Sequence, residues 1–359
     1  MGERAVKIGY SFWGFLGDGI TDTPDGGRSH RRTLIDGLIA AGHTLVFLQQ
    51  DRDRDDAHTP VTGPYAWNPG LPDLDALFLE WRWPIPGRTD TPCTAPGHTC
   101  DLHRQQQLLD HYTHRHQIPT LLWDKDQRLA PADPLRLLPQ LTVCEPALHP
   151  RHGATSLLFP VADHTLDTAD PTALAARPRR WPLVYVGNQY GRDAAFGTYF
   201  ARPAQHLDHV VAGRWTDTGP WPHVNFIGRI PFRQGLDLHA RAHATVMLAP
   251  ARYATSGQYT QRLFESVLAG CAPITPARYR SAATVIPGEL HAYDGDHVAD
   301  ITRTLISMPT ADRAQLLARC IRRLDPFRLS RQLHTIGQVF DQPQGADNGN
   351  LTHHTTRNR

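Results

Sequence analysis

Arg262 and Glu265 stand three residues apart in the stretch Thr260-Gln261-Arg262-Leu263-Phe264-Glu265-Ser266-Val267-Leu268-Ala269-Gly270. On a helix that spacing puts a guanidinium and a carboxylate on one face. An apolar run ends at Pro250, and a polar loop containing Gly257 leads into the helix. Such a junction offers loop N–H groups and the positive end of the helix dipole to an anion. Thr260 is placed to cap the helix, and Arg262 can grip a phosphate with its planar fork. Glu265 can accept two hydrogen bonds from a ribose diol. Anion site, arginine and diol acceptor in succession match the parts of a sugar nucleotide. The plainer alternative is an acid favouring the helix N-terminus with an arginine paired to it.

A second constellation is Cys93-x4-His98-x-Cys100-x2-His103. All four residues are zinc-ligand types, in a loop rich in proline and glycine ahead of a helix. The spacing matches no standard zinc pattern. With 21 histidines in the chain, chance clustering competes with a structural zinc site and with a Cys93–Cys100 disulfide.

The elements that must position these residues follow from hydrophobic periodicity. Residues 6–12 read as a strand, followed by a glycine-bearing loop over 14–27 and a helix over 29–41 that Gly42 stops. Residues 44–49 form the next strand. This β-loop-α-β unit is the building block of a doubly wound parallel sheet. Further strands are expected at 76–79, 120–123, 141–144 and 156–161, with a helix at 102–116. Residues 163–182, rich in Ala, Pro, Asp and Arg, read as a linker. A second series has strands at 183–187, 209–212, 224–227, 244–249 and 272–275. Its helices are expected at 234–242, 261–269, 311–324 and 328–340. The fold class is therefore α/β, with two Rossmann-like domains facing across a cleft. The expected division is 1–165 for the N-terminal Rossmann-like domain, 166–182 for the linker and 183–325 for the C-terminal one, which carries the candidate sugar-nucleotide residues. A helix is expected at 326–340, and the polar tail 341–359 is expected to be disordered.

Composition sets the outer bounds. A chain of 359 residues suits two domains. No apolar run approaches the roughly 20 residues that span a bilayer, and the N-terminus lacks signal-peptide features, so a cytoplasmic protein is expected. The net charge of +2 gives no basic face, so nucleic acid is an unlikely partner on this ground. Five scattered cysteines argue against a secreted disulfide framework.

Arg262-x-Phe264-Glu265-x-x-x-Ala269-Gly270, followed by Ala272-Pro273-Ile274, resembles the nucleotide-binding motif of retaining GT-B glycosyltransferases. It is most similar to the branch of CgeB-like proteins. The likeness extends over about residues 183–290, including Val224-Asn225-Phe226-Ile227-Gly228-Arg229 and a histidine-bearing helix after it. The resemblance implies a UDP, GDP or dTDP sugar donor, with no obligatory metal. It gives Glu265 the ribose hydroxyls, and Arg262 with the loop from Gly257 to Thr260 the diphosphate. Gly187, Asn188 and Gln189 would face the cleft near the phosphates, with Arg192 and Arg229 as further phosphate ligands. One departure stands out. The broader retaining group carries two glutamates in E-x7-E spacing, and here Gly257 occupies the first position.

The N-terminal half would then supply the acceptor side, for a small molecule or a glycan. The loop after the first strand carries Asp18, Asp22, Asp25, Arg28 and His30. It is not a G-x-G-x-x-G loop, so no nicotinamide cofactor is indicated. Glu80-Trp81-Arg82-Trp83 and Trp123-Asp124-Lys125-Asp126 each end a strand. An inverting reaction would take its base from Asp18, His30 or Asp124. A retaining one would let the leaving diphosphate assist while arginines stabilise charge. The activity implied is a glycosyltransferase. The alternatives are a catalytically silent sugar- or nucleotide-binding protein, or a pseudoglycosyltransferase-type coupling enzyme on the same fold.

Overall fold

A computed structural model describes residues 5–12, 29–48, 66–86, 89–96, 98 and 100–341. The first half is a seven-stranded parallel sheet in the order β3-β2-β1-β4-β5-β6-β7. Its strands are β1 (Lys7–Ser11), β2 (Thr44–Phe47), β3 (Ala66–Trp67), β4 (Ala76–Glu80), β5 (Thr120–Trp123), β6 (Leu141–Glu145) and β7 (Thr155–Ser156). All five residues of β4 are buried, as expected for a central parallel strand covered on both faces. Helices α1 (Arg31–Ala40) and α2 (Asp101–Leu108) belong to this half, and α2 runs on as a π-helix over Leu109–Arg115. Tyr10 pairs in register with Phe47 and Phe78, and the three rings pack together on one face of the sheet.

The second half is a five-stranded parallel sheet in the order β12-β11-β10-β8-β9. It comprises β8 (Trp181–Val186), β9 (His209–Ala212), β10 (Ala242–Val246), β11 (Ala272–Pro276) and β12 (His291–Ala292). Three helices here bear on the site: α3 (Phe232–Ala240), α4 (Ala251–Ser256) and α5 (Arg262–Ala269). Helix α5 buries Leu263, Phe264 and Val267, each contributing about 1.5–3 kcal/mol of apolar burial. That leaves Arg262 and Glu265 on the half-buried side. The last helix, α6 (Leu329–Phe340), lies against α1, where Leu329 fills the space beside Gly37. Gln332 accepts a hydrogen bond from the backbone of Leu158 at 2.8 Å.

Several expectations need correction. Residues 163–182, read as a linker, hold two short helices, Asp163–Asp167 and Pro171–Ala176, the latter capped by Asp170. Residues 224–227 make only a bridge, Val211 to Phe226, along the edge of β9. The polar stretch before Arg262 contains α4, whose left-handed cap is Gly257. Thr260 does not cap α5, which starts at Arg262 without a side-chain cap. A further helix, not expected from periodicity, spans Gly295–Ser307. The expected disordered tail lies, beyond Asp341, outside the described residues.

Candidate functional site

The carboxyl ends of both sheets face one cleft, where ligands bind in open parallel sheets. Its volume is about 720 Å³. One wall holds residues 83–86, Lys125, Asp126, Arg128 and Phe159; the other is built from residues following β8, β9 and β10 and from α3 and α5. Buried polar contacts hold the two walls together. Gln127 donates to Ser256 Oγ at 2.6 Å and to Gln258 Oε1 at 2.8 Å, and Gln258 donates to the Lys125 carbonyl at 2.7 Å. Tyr253 donates to the Asp126 carboxylate.

Arg262 lies across the floor. Its Nε donates to the Val186 carbonyl at 2.5 Å and its Nη1 to the Leu248 carbonyl at 3.4 Å, so it ties β8 to the segment after β10. The guanidinium sits 4.7 Å from the centre of the Tyr185 ring, a cation–π contact. A Cβ at Gly187 would stand 2.2 Å from Arg262 Nη2. Glycine is therefore what lets the arginine reach the floor, and the two positions are one structural unit. Burial pushes the Arg262 pKa down from its ordinary value, yet an arginine side chain remains charged.

Of the other residues expected at the donor, Asn188, Arg229, Thr260 and Glu265 line the same cleft with Gly187 and Arg262. Asn188 Oδ1 accepts from the Arg214 backbone at 2.8 Å and so joins the loops after β8 and β9. Arg192, buried at the same end, donates to Tyr185 Oη at 2.5 Å. Burial works against its charge, and the neighbouring Tyr185 outweighs that effect and raises its pKa.

Gly257 does not line the cleft. It sits at φ 67° beneath the Leu148 N–H, which donates to its carbonyl at 3.3 Å. An added Cβ would meet Ser281 Oγ at 3.1 Å and the Arg280 carbonyl at 3.2 Å. The position is a left-handed helix cap at the junction of the halves, a conformation that side chains disfavour.

The expected catalytic residues divide differently. Asp18, with the rest of the 14–27 loop and Arg28, lies outside the described residues. Asp124 is corrected: it is wholly buried and is not part of the cleft lining. Its carboxylate accepts from the backbones of Arg128 and Leu129 and from Arg151 at 2.8–2.9 Å. Burial raises its pKa against those bonds. Its neighbours Lys125 and Asp126 line the cleft instead, because the chain leaves β5 in a turn at these two residues and strand alternation no longer applies. His30 is also corrected. It is wholly buried, packed between Trp123 and Phe159, and both ring nitrogens lack a hydrogen-bond partner. Burial, assisted by Lys125 and Arg31, holds its pKa well below the usual histidine value, so it is a neutral core residue behind the cleft wall.

Two residues have surroundings that their sequence positions do not reveal. Glu80, at the end of β4, is buried beneath the Lys125 wall. Arg31 grips it with two bonds at 2.9 and 2.6 Å, Lys125 at 2.5 Å and Tyr10 at 2.7 Å. Burial favours its neutral acid, but the two cations outweigh this and keep the carboxyl well below its usual range. His239, on α3, lines the cleft though only 1% exposed. Neither of its ring nitrogens has a partner, and burial beside Arg262 brings its pKa to about 3. The spacing of single residues carries no signal for either, since their partners lie on distant strands.

No family model matches the chain, and no curated protein matches its sequence. Solved structures do match its fold. AviGT4, a glycosyltransferase involved in avilamycin A biosynthesis, is 16% identical with a TM-score of 0.56, over 93% of this chain and 97% of that one. T4 phage beta-glucosyltransferase in complex with its UDP-glucose substrate is 11% identical with a TM-score of 0.61, over 93% and 99%. An alpha-glucosyltransferase in complex with UDP-glucose and DNA containing an abasic site is 10% identical with a TM-score of 0.59, over 94% and 100%. The chain thus has the GT-B fold of these glycosyltransferases. The comparison also corrects one expectation. Net charge excludes nucleic acid as a partner no longer, because this architecture includes a DNA-modifying beta-glucosyltransferase and an alpha-glucosyltransferase in complex with DNA. Net charge averaged over the chain carries no such exclusion. Among the described residues no helix is long and apolar enough to cross a membrane.

Proposed function

We propose that this protein is a glycosyltransferase that moves a sugar from a nucleoside diphosphate donor, of UDP, GDP or dTDP type, to an acceptor hydroxyl. One observation carries the reading: Gly187, Arg262 and Glu265 meet on the floor of a cleft between two parallel sheets. In it, Arg262 Nη2 and the Arg192 guanidinium neutralise the diphosphate, and the loop at Gly187 and Asn188 approaches it by backbone. Glu265, one turn along α5, accepts the ribose hydroxyls. Arg229 and Thr260 flank the same end. The wall at residues 83–86, Lys125 and Asp126 faces the acceptor. Charge building on the leaving diphosphate is stabilised by groups already oriented for it. Asp18 is the proposed base, since it follows β1 in the chain and the carboxyl ends of β1, β4 and β5 share one edge of the sheet. The Arg262-x-Phe264-Glu265 motif supports a place near the CgeB-like branch.

A second reading, a silent nucleotide-binding protein, is motivated by Gly257 standing where the broader retaining group has glutamate. Incubation with UDP-, GDP- and dTDP-glucose, with and without Mn²⁺, separates the two. Thermal shift reads binding, and donor hydrolysis reads chemistry. Acceptor panels should hold hydroxylated small molecules, oligosaccharides and duplex DNA carrying a hydroxylated base. Binding without turnover on any acceptor would favour the silent reading. Failure to bind any nucleotide would refute both.

A further inference from the structure

Cys93, His98, Cys100 and His103 each bring a ligand atom to within 4.8 Å of the other three. Cys93 Sγ lies 3.3 Å from His103 Nδ1, and both cysteines are free thiols. In a tetrahedral site with Zn–S near 2.3 Å and Zn–N near 2.1 Å, neighbouring ligand atoms stand about 3.4–3.8 Å apart. The Cys93–His103 edge, at 3.3 Å, is within about 0.3 Å of that length, and the widest needs to close by about 1 Å. His98 Nδ1 shares a hydrogen bond with Thr91 Oγ1 at 3.0 Å, the kind of outer contact that fixes the ring of a metal-bound histidine. Cys100 is the residue before α2 and His103 lies in its first turn; Cys93 and His98 come from the preceding loop. Two thiols and two imidazoles with no carboxylate suit zinc and disfavour calcium or magnesium.

We propose that these four residues hold a structural zinc ion that staples the loop of residues 91–100 to the start of α2. The ion would be remote from the donor chemistry but linked to the acceptor wall. The Arg82 backbone exchanges hydrogen bonds with the Gln105 side chain of α2 at 2.8 and 3.1 Å. The Ile85 N–H donates to Thr89 Oγ1 at 2.7 Å. Residues 83–86 form part of the cleft wall, so a loop held by metal at one end keeps that wall in place.

The test uses the full chain without an affinity tag, purified under reducing conditions. About one zinc per chain is expected by elemental analysis. Exchange into cobalt should give the visible d–d bands and thiolate charge-transfer absorption of a tetrahedral Cys2His2 site. Chelation should lower the Tm and speed hydrogen exchange over residues 82–105. In the Cys93→Ser/Cys100→Ser variant, bound zinc should fall below about one tenth of an equivalent. Three results would overturn the proposal: no zinc retained and no cobalt bands after reconstitution, a Cys93–Cys100 disulfide in the reduced preparation, or full zinc retention in the double variant. The cobalt spectrum is read on the unmodified chain, so a misfolded variant leaves the test intact.

Discussion

Replacing Gly187 with alanine probes the cleft floor directly. The new Cβ would stand 2.2 Å from Arg262 Nη2 and 3.0 Å from its Cζ, where non-bonded heavy atoms prefer about 3.5–4.0 Å. The guanidinium must therefore withdraw by about 1 Å. It would give up its 2.5 Å bond to the Val186 carbonyl and its place over Tyr185. The clash is with the mobile end of a side chain, so the backbone need not move. A fold cost of about 1 kcal/mol would lower the Tm by about 2–4 °C for a domain of this size. Binding should suffer more. A hydrogen bond from a charged donor is worth about 1.5–3 kcal/mol, and losing one to the diphosphate weakens affinity by roughly 10- to 100-fold. Calorimetric titration with the preferred nucleoside diphosphate measures this, with circular dichroism melts run alongside. Arg262→Lys should give a similar loss, because a point charge cannot reproduce the fork. If Gly187→Ala bound nucleotide within about twofold of the parent (under 0.5 kcal/mol), Arg262 would be a tie between strands and not a phosphate ligand.

Glu80→Gln removes the carboxylate that Arg31, Lys125 and Tyr10 all engage. Removing one partner of a buried ion pair costs about 3–5 kcal/mol, so a Tm fall of about 6–20 °C is expected; a fall under about 2 °C would show that the network is not holding the sheet edge. Gly257→Glu, which restores the E-x7-E spacing, should not confer activity. It should cost about 1–2 kcal/mol in a urea melt, from the left-handed backbone alone, and a gain in turnover would contradict the placement of Gly257 outside the cleft. Acid should weaken the fold through His239. Its folded pKa of about 3 lies below the unfolded value of about 6.5, so its contribution is complete above pH 6.5 and is lost as pH falls toward 3. At pH 5 the loss is about 2 kcal/mol. His239→Gln should remove that part of the difference between urea midpoints at pH 7 and pH 5, and an unchanged difference would count against it.

The sequence by itself determined the alternation of strands and helices and the α/β class. Apolar runs at 76–79, 120–123 and 183–187 are local signals, and each falls on a parallel strand, the first two wholly buried and the third buried at Leu183–Tyr185. It also determined that Arg262 and Glu265 share a helix face, since spacing on a helix is local geometry. Only the tertiary structure decided what those faces meet. That Gly187 exists for Arg262 depends on two residues 75 positions apart, and no local pattern records such a contact. Asp124 and Asp126 look equivalent in the chain; the turn after β5 buries one and turns the other into the cleft. His30 looked like a polar residue at a loop end and proved to be packed between aromatic rings. Gly257 read as a missing catalytic group, while its backbone conformation shows a helix cap. Periodicity reports which side of an element is apolar. Burial, partners and ionisation are set by the neighbours that folding brings across the sheet, and those neighbours are written at scattered positions.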